Sequence, residues 1–116
     1  MIVGSISEEK NIDQRIAITP DVIKKYKSMG FSIFIPKGYG EHIGISDYNF
    51  SKEGAEIKNN DDEVISESNL LLQLNILHDD NLKKLKENQT LIGVLNPYVN
   101  NEKLKILIEN KVNCFS

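Results

Sequence analysis

Residues 69–75 read NLLLQLN and residues 90–96 read TLIGVLN, two short and nearly continuous apolar runs in a chain of 116 residues. A strand with one wet face alternates apolar and polar side chains, whereas a strand covered on both faces does not. Each run is followed by a stretch with helical spacing. DDNLKKLKEN (79–88) presents Leu82 and Leu85, with Asp79 or Asp80 placed to cap it, and NEKLKILIEN (101–110) presents Leu104, Leu107 and Ile108. Buried strands alternating with helices predict a parallel sheet built by right-handed crossovers.

The same rhythm extends toward the N-terminus. IVGSI (2–6) reads as a first strand, and Thr19-Pro20-Asp21 as a helix start: a capping hydroxyl, a proline in the first turn and an acid at the positive end of the dipole. Val22, Ile23, Tyr26 and Met29 follow at helical spacing, Gly30 stops the helix, and FSIFIP (31–36) is the next strand, closed by Pro36. KGYGEHIGIS (37–46) is a glycine-rich loop with Ser46 as cap of a short helix around 47–53. A brief extended piece at 55–57 and helical turns around 61–66 complete the middle, and VNCFS (112–116) is a last strand. The expected fold is α/β: an open, mostly parallel sheet with helices on both faces, flavodoxin-like or Rossmann-like. In such sheets ligands sit beyond the carboxyl ends of the strands, here the loops at 7–15, 36–44, 73–78 and 96–100. The last strand has no following helix, so an apolar patch is expected to stay open and the domain to be incomplete, part of a larger unit.

Composition bounds the function. With 40 % hydrophobic residues, the chain suits one domain with one modest core. A net charge of −3, and thirteen lysines beside the single arginine, give no general attraction for nucleic acid or anionic membrane. The lone Cys114 excludes an internal disulfide and suits a reducing compartment. No basic leader or long apolar run marks a secretory or membrane segment, so the expectation is a soluble cytoplasmic piece.

Candidate chemistry is sparse. Gly38, Gly40 and Gly44 follow a strand, but the dinucleotide fingerprint needs a glycine turn opening directly into a helix, so a structural loop is favoured over ligand contact. His78-Asp79-Asp80 matches no standard metal-ligand spacing, and no metal is expected. His42 has no nearby nucleophile, Cys114 reads as a small buried residue, and Tyr98 reads equally as cleft lining or packing. Arg15 stands apart. It lies on a polar loop at the ligand side of the sheet, where a guanidinium can grip a carboxylate or phosphate bidentately. The competing reading, a surface arginine paired with Asp13 or Asp21, carries equal weight.

The stretch QRIAITPDVIKKYKSMGFSIFIPKGYGEHIGISDYNFSKEGAEI (14–57), continued by NLLLQLN and TLIGVLNPYVNNEKLKILIENKVNCFS, resembles the N-terminal signature of the alanine dehydrogenase and NAD(P) transhydrogenase alpha-subunit family. The resemblance covers essentially residues 1–116 and implies an N-terminal domain without its dinucleotide-binding partner. In the alanine dehydrogenases, it implies, the arginine at position 15 holds the substrate carboxylate, a lysine stands where this chain has Gln73, and a histidine where it has Asn96. Pro97 and Asn100 resemble the transhydrogenase pattern instead. The implied whole is a proton-translocating transhydrogenase alpha subunit acting with a membrane beta subunit, on NAD(H) and NADP(H), as a homodimer at the cytoplasmic side of an inner membrane. The chain alone is then expected to be catalytically silent and to bind neither cofactor tightly. Arg15, Gln73, Asn96 and Tyr98 are the residues expected to line the interdomain cleft. The alternatives are a noncatalytic metabolite- or anion-binding module and a divergent alanine dehydrogenase-like relic.

Overall fold

The computed structural model describes residues 1–75, 77–94, 106 and 108–115. Six strands form one sheet: β1 (Ile2–Gly4), β2 (Ser32–Pro36), β3 (Glu56–Lys58), β4 (Leu70–Asn75), β5 (Thr90–Val94) and β6 (Asn113–Phe115). Their order is β3-β2-β1-β4-β5-β6, and every described pairing is parallel. This is the Rossmann-type order, which decides between the two expected doubly wound arrangements. Its switch point lies between β1 and β4.

Among the described residues, the first five strands are connected by α1 (Pro20–Ser28), α2 (Asp47–Ser51), α3 (Asp61–Glu67) and α4 (Asp79–Leu82). α1 begins at Thr19 as expected, although the threonine hydroxyl makes no capping bond. It ends where Gly30, at φ 95°, lets its own N–H and that of Phe31 reach the carbonyls of Lys27 and Tyr26. A non-glycine residue would be strained in that left-handed turn. Ser46 precedes α2 but likewise makes no side-chain cap. α3 is capped by Asn60, which accepts from the Glu63 N–H while the Glu63 carboxylate accepts from the Asn59 N–H.

Register places alternate strand residues on opposite faces. Val3, Ile33, Ile35 and the α1 residue Ile23 form one apolar layer with Tyr39 and Phe50, whose rings meet edge to face at 5.5 Å. Phe34, Leu71 and Leu91 form the other, with Val64 and Ile65 of α3 and Leu82 of α4. The first layer runs out beyond α1. Val3, Leu70, Leu72 and Ile92 line an open apolar groove of about 190 Å³ there, with Met1, Tyr26 and Phe31. The open apolar surface thus lies over β1, β4 and β5; of β6, Cys114 packs partly against the opposite layer.

Three local expectations are corrected. The helix after β4 covers only Asp79–Leu82, because the chain must turn back toward β5. Gln89 holds that turn by accepting from the Lys86 N–H and donating to the terminal carbonyls of α3, at Ile65 and Ser68. Its cap is His78, whose Nδ1 accepts from the Asp80 N–H at 3.3 Å, rather than Asp79 or Asp80. In the next helical segment Ile106 packs against the core, whereas Ile108, expected on the buried stripe, is exposed. Leu104 and Leu107, like Asn96, Pro97, Tyr98 and Asn100, lie outside the described residues.

Candidate functional site

At the switch point the sheet opens a small cleft lined by Ser7, Glu8, Glu9, Gln73, Asn75, His78 and Asn81, with Ile6 and Leu77 as its floor. Gln73, on β4, is 3 % exposed and uses its whole hydrogen-bonding capacity. Its Oε1 accepts from the Ile6 N–H at 2.8 Å and the Ser5 hydroxyl at 3.3 Å; its Nε2 donates to the Ile6 carbonyl at 3.0 Å and to Glu8 Oε2 at 2.9 Å. The amide thereby mimics a strand backbone and continues the β1–β4 ladder beyond Gly4, where regular pairing has stopped. The network runs deeper: Ser5 Oγ and Tyr39 Oη lie 2.8 Å apart, and Tyr39 Oη accepts from the Ile18 N–H. Burial pushes the Tyr39 phenol above its ordinary pKa.

Glu8 is the residue the sequence alone did not single out. It is 8 % exposed, and its carboxylate accepts from Gln73 Nε2 and from the backbone N–H groups of Leu74 and Asn75, at 2.9 to 3.0 Å. Those backbone groups lie beyond the last β1–β4 pair, Gly4 with Leu71, where the β4–β5 register also shifts, between Leu72 and Asn75. Gly93 permits that irregularity, since a Cβ there would lie 3.1 Å from the Gln73 carbonyl. Glu8 is one of two adjacent acids in SISEEK, and nothing local distinguishes it, because its partners are brought to it by the fold.

Arg15 stands at the rim with its side chain 76 % exposed. Its Nε donates to Asp13 Oδ1 at 3.0 Å and its Nη2 to Asp13 Oδ2 at 2.7 Å, while its own backbone N–H also donates to Oδ1. Asn75 Nδ2 donates to Asp13 Oδ2 at 3.0 Å, which ties the pair to the end of β4. Hydrogen bonds from Arg15, first from its side chain and then from its backbone, hold the Asp13 carboxyl well below the usual carboxylate range, and the same contact raises Arg15. Gln73 and Arg15 are therefore brought to the same end of the sheet, linked through Asn75.

The other candidates have local roles. Gly38 and Gly44 adopt left-handed conformations, at φ 77° and 79°, and the Gly38 N–H donates to Asp47. A Cβ on Gly40 would lie 2.8 Å from the Phe50 ring. His42 Nε2 lies 2.9 Å from the Gln14 carbonyl, pinning the glycine loop to the segment that carries Arg15. Cys114 is partly buried, and burial raises its thiol. Among the described residues no group of three or more His, Cys, Asp or Glu is placed to hold a metal.

The described residues after the first strand do not fit a dinucleotide pyrophosphate. β1 ends at Gly4 and α1 starts at Pro20, so a long loop, not a glycine turn opening into a helix, follows the first strand. No helix of the described residues is long and apolar enough to cross a membrane.

Comparison with known proteins agrees with this geometry. The sequence matches the family model described as alanine dehydrogenase/PNT, N-terminal domain, over residues 4–116. It is 38 % identical over 95 residues to an alanine dehydrogenase of Mycolicibacterium smegmatis, a match covering 82 % of this chain and 26 % of the relative. It is 28 % identical over 112 residues to an alanine dehydrogenase of Methanococcus maripaludis, covering 97 % and 30 %. The transhydrogenase structure from Sinorhizobium meliloti superposes with a TM-score of 0.90 at 22 % identity, over 100 % of this chain and 34 % of that one. An L-alanine dehydrogenase structure gives 0.93 at 17 %, over 100 % and 32 %. The chain spans about a quarter to a third of the length of these relatives. With the family matched along nearly all of its length and the same fold in both solved structures, this chain belongs to the alanine dehydrogenase/PNT N-terminal domain family.

Proposed function

We propose that this chain is the partner domain of a NAD(H)-dependent oxidoreductase of the transhydrogenase alpha-subunit type, closing a cleft over a cofactor held by another domain. The observation that carries the reading is Gln73: a neutral amide with all four hydrogen bonds used inside the protein leaves no ammonium at the end of β4 for a keto acid, which speaks against alanine dehydrogenase chemistry. The resemblance gives transhydrogenases a lysine there too, so the choice of that branch rests on Asn96, Pro97 and Asn100 in the sequence. NAD(H) then belongs to a domain beyond these residues, and NADP(H) and proton translocation to further parts, including a membrane beta subunit; the complete enzyme is a dimer on the cytoplasmic side. Arg15 is the anion contact of that cleft and Gln73 supports it, and the resemblance adds Asn96 and Tyr98 from the sequence alone. A second reading, an alanine dehydrogenase-type domain, is favoured by the 38 % identical relative.

An assay of the complete protein carrying this domain separates the two. Hydride transfer from NADH to an NADP⁺ analogue, without alanine-dependent reduction of NAD⁺, is the expected result. Alanine-dependent reduction would overturn the transhydrogenase reading, and neither activity would favour a noncatalytic module.

A further inference from the structure

We infer that Asp13 is a built-in competitor for Arg15: it occupies the Nε/Nη2 fork of the guanidinium, and that pairing must break before a small carboxylate can take the fork. The inference rests on the reading of Arg15 as the anion contact of the cleft. The two halves of the pair are held very differently. The Asp13 side chain is 10 % exposed and the Arg15 side chain 76 %. Asp13 accepts from Asn75 Nδ2 at 3.0 Å and from the Arg15 backbone N–H at 2.9 Å, and both contacts are independent of where the guanidinium points. The aspartate is therefore the fixed partner and the arginine head the movable one. The side-on prongs, Nε and Nη2, are already bonded to its oxygens, which leaves a ligand carboxylate the end-on approach through Nη1 unless the pair opens. An ion pair with so exposed an arginine adds little to stability, so the arrangement acts on occupancy: an incoming anion exchanges one bidentate carboxylate for another. Glu8, one hydrogen bond further along Asn75, adds a second negative charge behind the fork and opposes anion entry in the same sense.

Arg15 is the single arginine of the chain, so one Nε–Hε signal in a nitrogen–proton correlation spectrum reports on it alone. The experiment titrates this chain with sodium acetate at constant ionic strength and follows that signal in the wild type, Asp13→Asn and Asp13→Ser. Asparagine and serine both keep an acceptor for the Arg15 N–H, and far-ultraviolet circular dichroism checks that each variant is folded. The expected result is saturation of both variants at about two- to fivefold lower acetate than the wild type, the range open to an exposed ion pair. Saturable shifts with equal midpoints would overturn the competitor role while leaving Arg15 as an anion contact. No saturable shift in any of the three would overturn both.

Discussion

At the scale of the residue, Gln73 and Asp13 decide what the switch point can do. Gln73 closes the ladder between β1 and β4 with a side chain, so Gln73→Ala leaves the Ile6 N–H and carbonyl and the Glu8 carboxylate short of partners in a buried place. A loss of about 2–4 kcal/mol is expected, read as a lower urea midpoint at unchanged slope. Asp13 makes a pH prediction. Its carboxyl is depressed from an ordinary 3.8 by Arg15, so its stabilising contribution is complete above the unfolded value and disappears as pH falls through the folded one. Carbon-detected titration should find Asp13 still ionised at pH 3, and a midpoint near 3.8 would contradict the geometry. Arg15 was legible in the sequence as a candidate. Its partner was legible only as one of two aspartates, because the choice between Asp13 and Asp21 depends on where the loop folds back against β4.

At the scale of the element, the glycine loop and the helix ends carry the argument. The loop between β2 and α2 is shaped by Tyr39 and Phe50, both fully buried, and by the absence of a Cβ on Gly40. Gly40→Ala presses a methyl group on the Phe50 ring, and a cost of about 1–3 kcal/mol is expected, measurable by thermal unfolding. Asn60→Ala removes the cap of α3, with an expected loss of about 1 kcal/mol. The helix starts and the strand runs were legible because capping, proline and apolar periodicity are local. The short α4 was not. Leu82 and Leu85 are both buried as their spacing implies, yet helix ends after the first of them, since Gln89 gains tertiary bonds to α3 that no local pattern encodes.

At the scale of the whole molecule, the sheet is covered unevenly. One layer packs against α3, α4 and Ile106, while on the other side α1 stops short and leaves the groove over Val3, Leu70, Leu72 and Ile92. Parallel sheets are ordinarily buried on both faces, so this chain alone should bind a hydrophobic dye, and Leu72→Glu should weaken that binding. A monodisperse monomer indifferent to the dye would argue that the groove closes by other means. The missing pyrophosphate cradle makes a second prediction at this scale: calorimetry with NADH should show no saturable heat up to about 1 mM, where binding free energy is only about −4 kcal/mol.

The sequence by itself determined the alternation of buried strands and helices, the stop at Gly30 and the family to which the chain belongs, because these depend on local periodicity, capping and ordered motifs. The tertiary structure alone decided the order β3-β2-β1-β4-β5-β6, and with it the meeting of residues 60 or more positions apart in sequence: Glu8 with Gln73 and Asn75, and Asp13 with Asn75. The physical reason is that a buried polar group takes whichever partner the fold brings within 3 Å, and that partner is set by strand order and register rather than by neighbours along the chain.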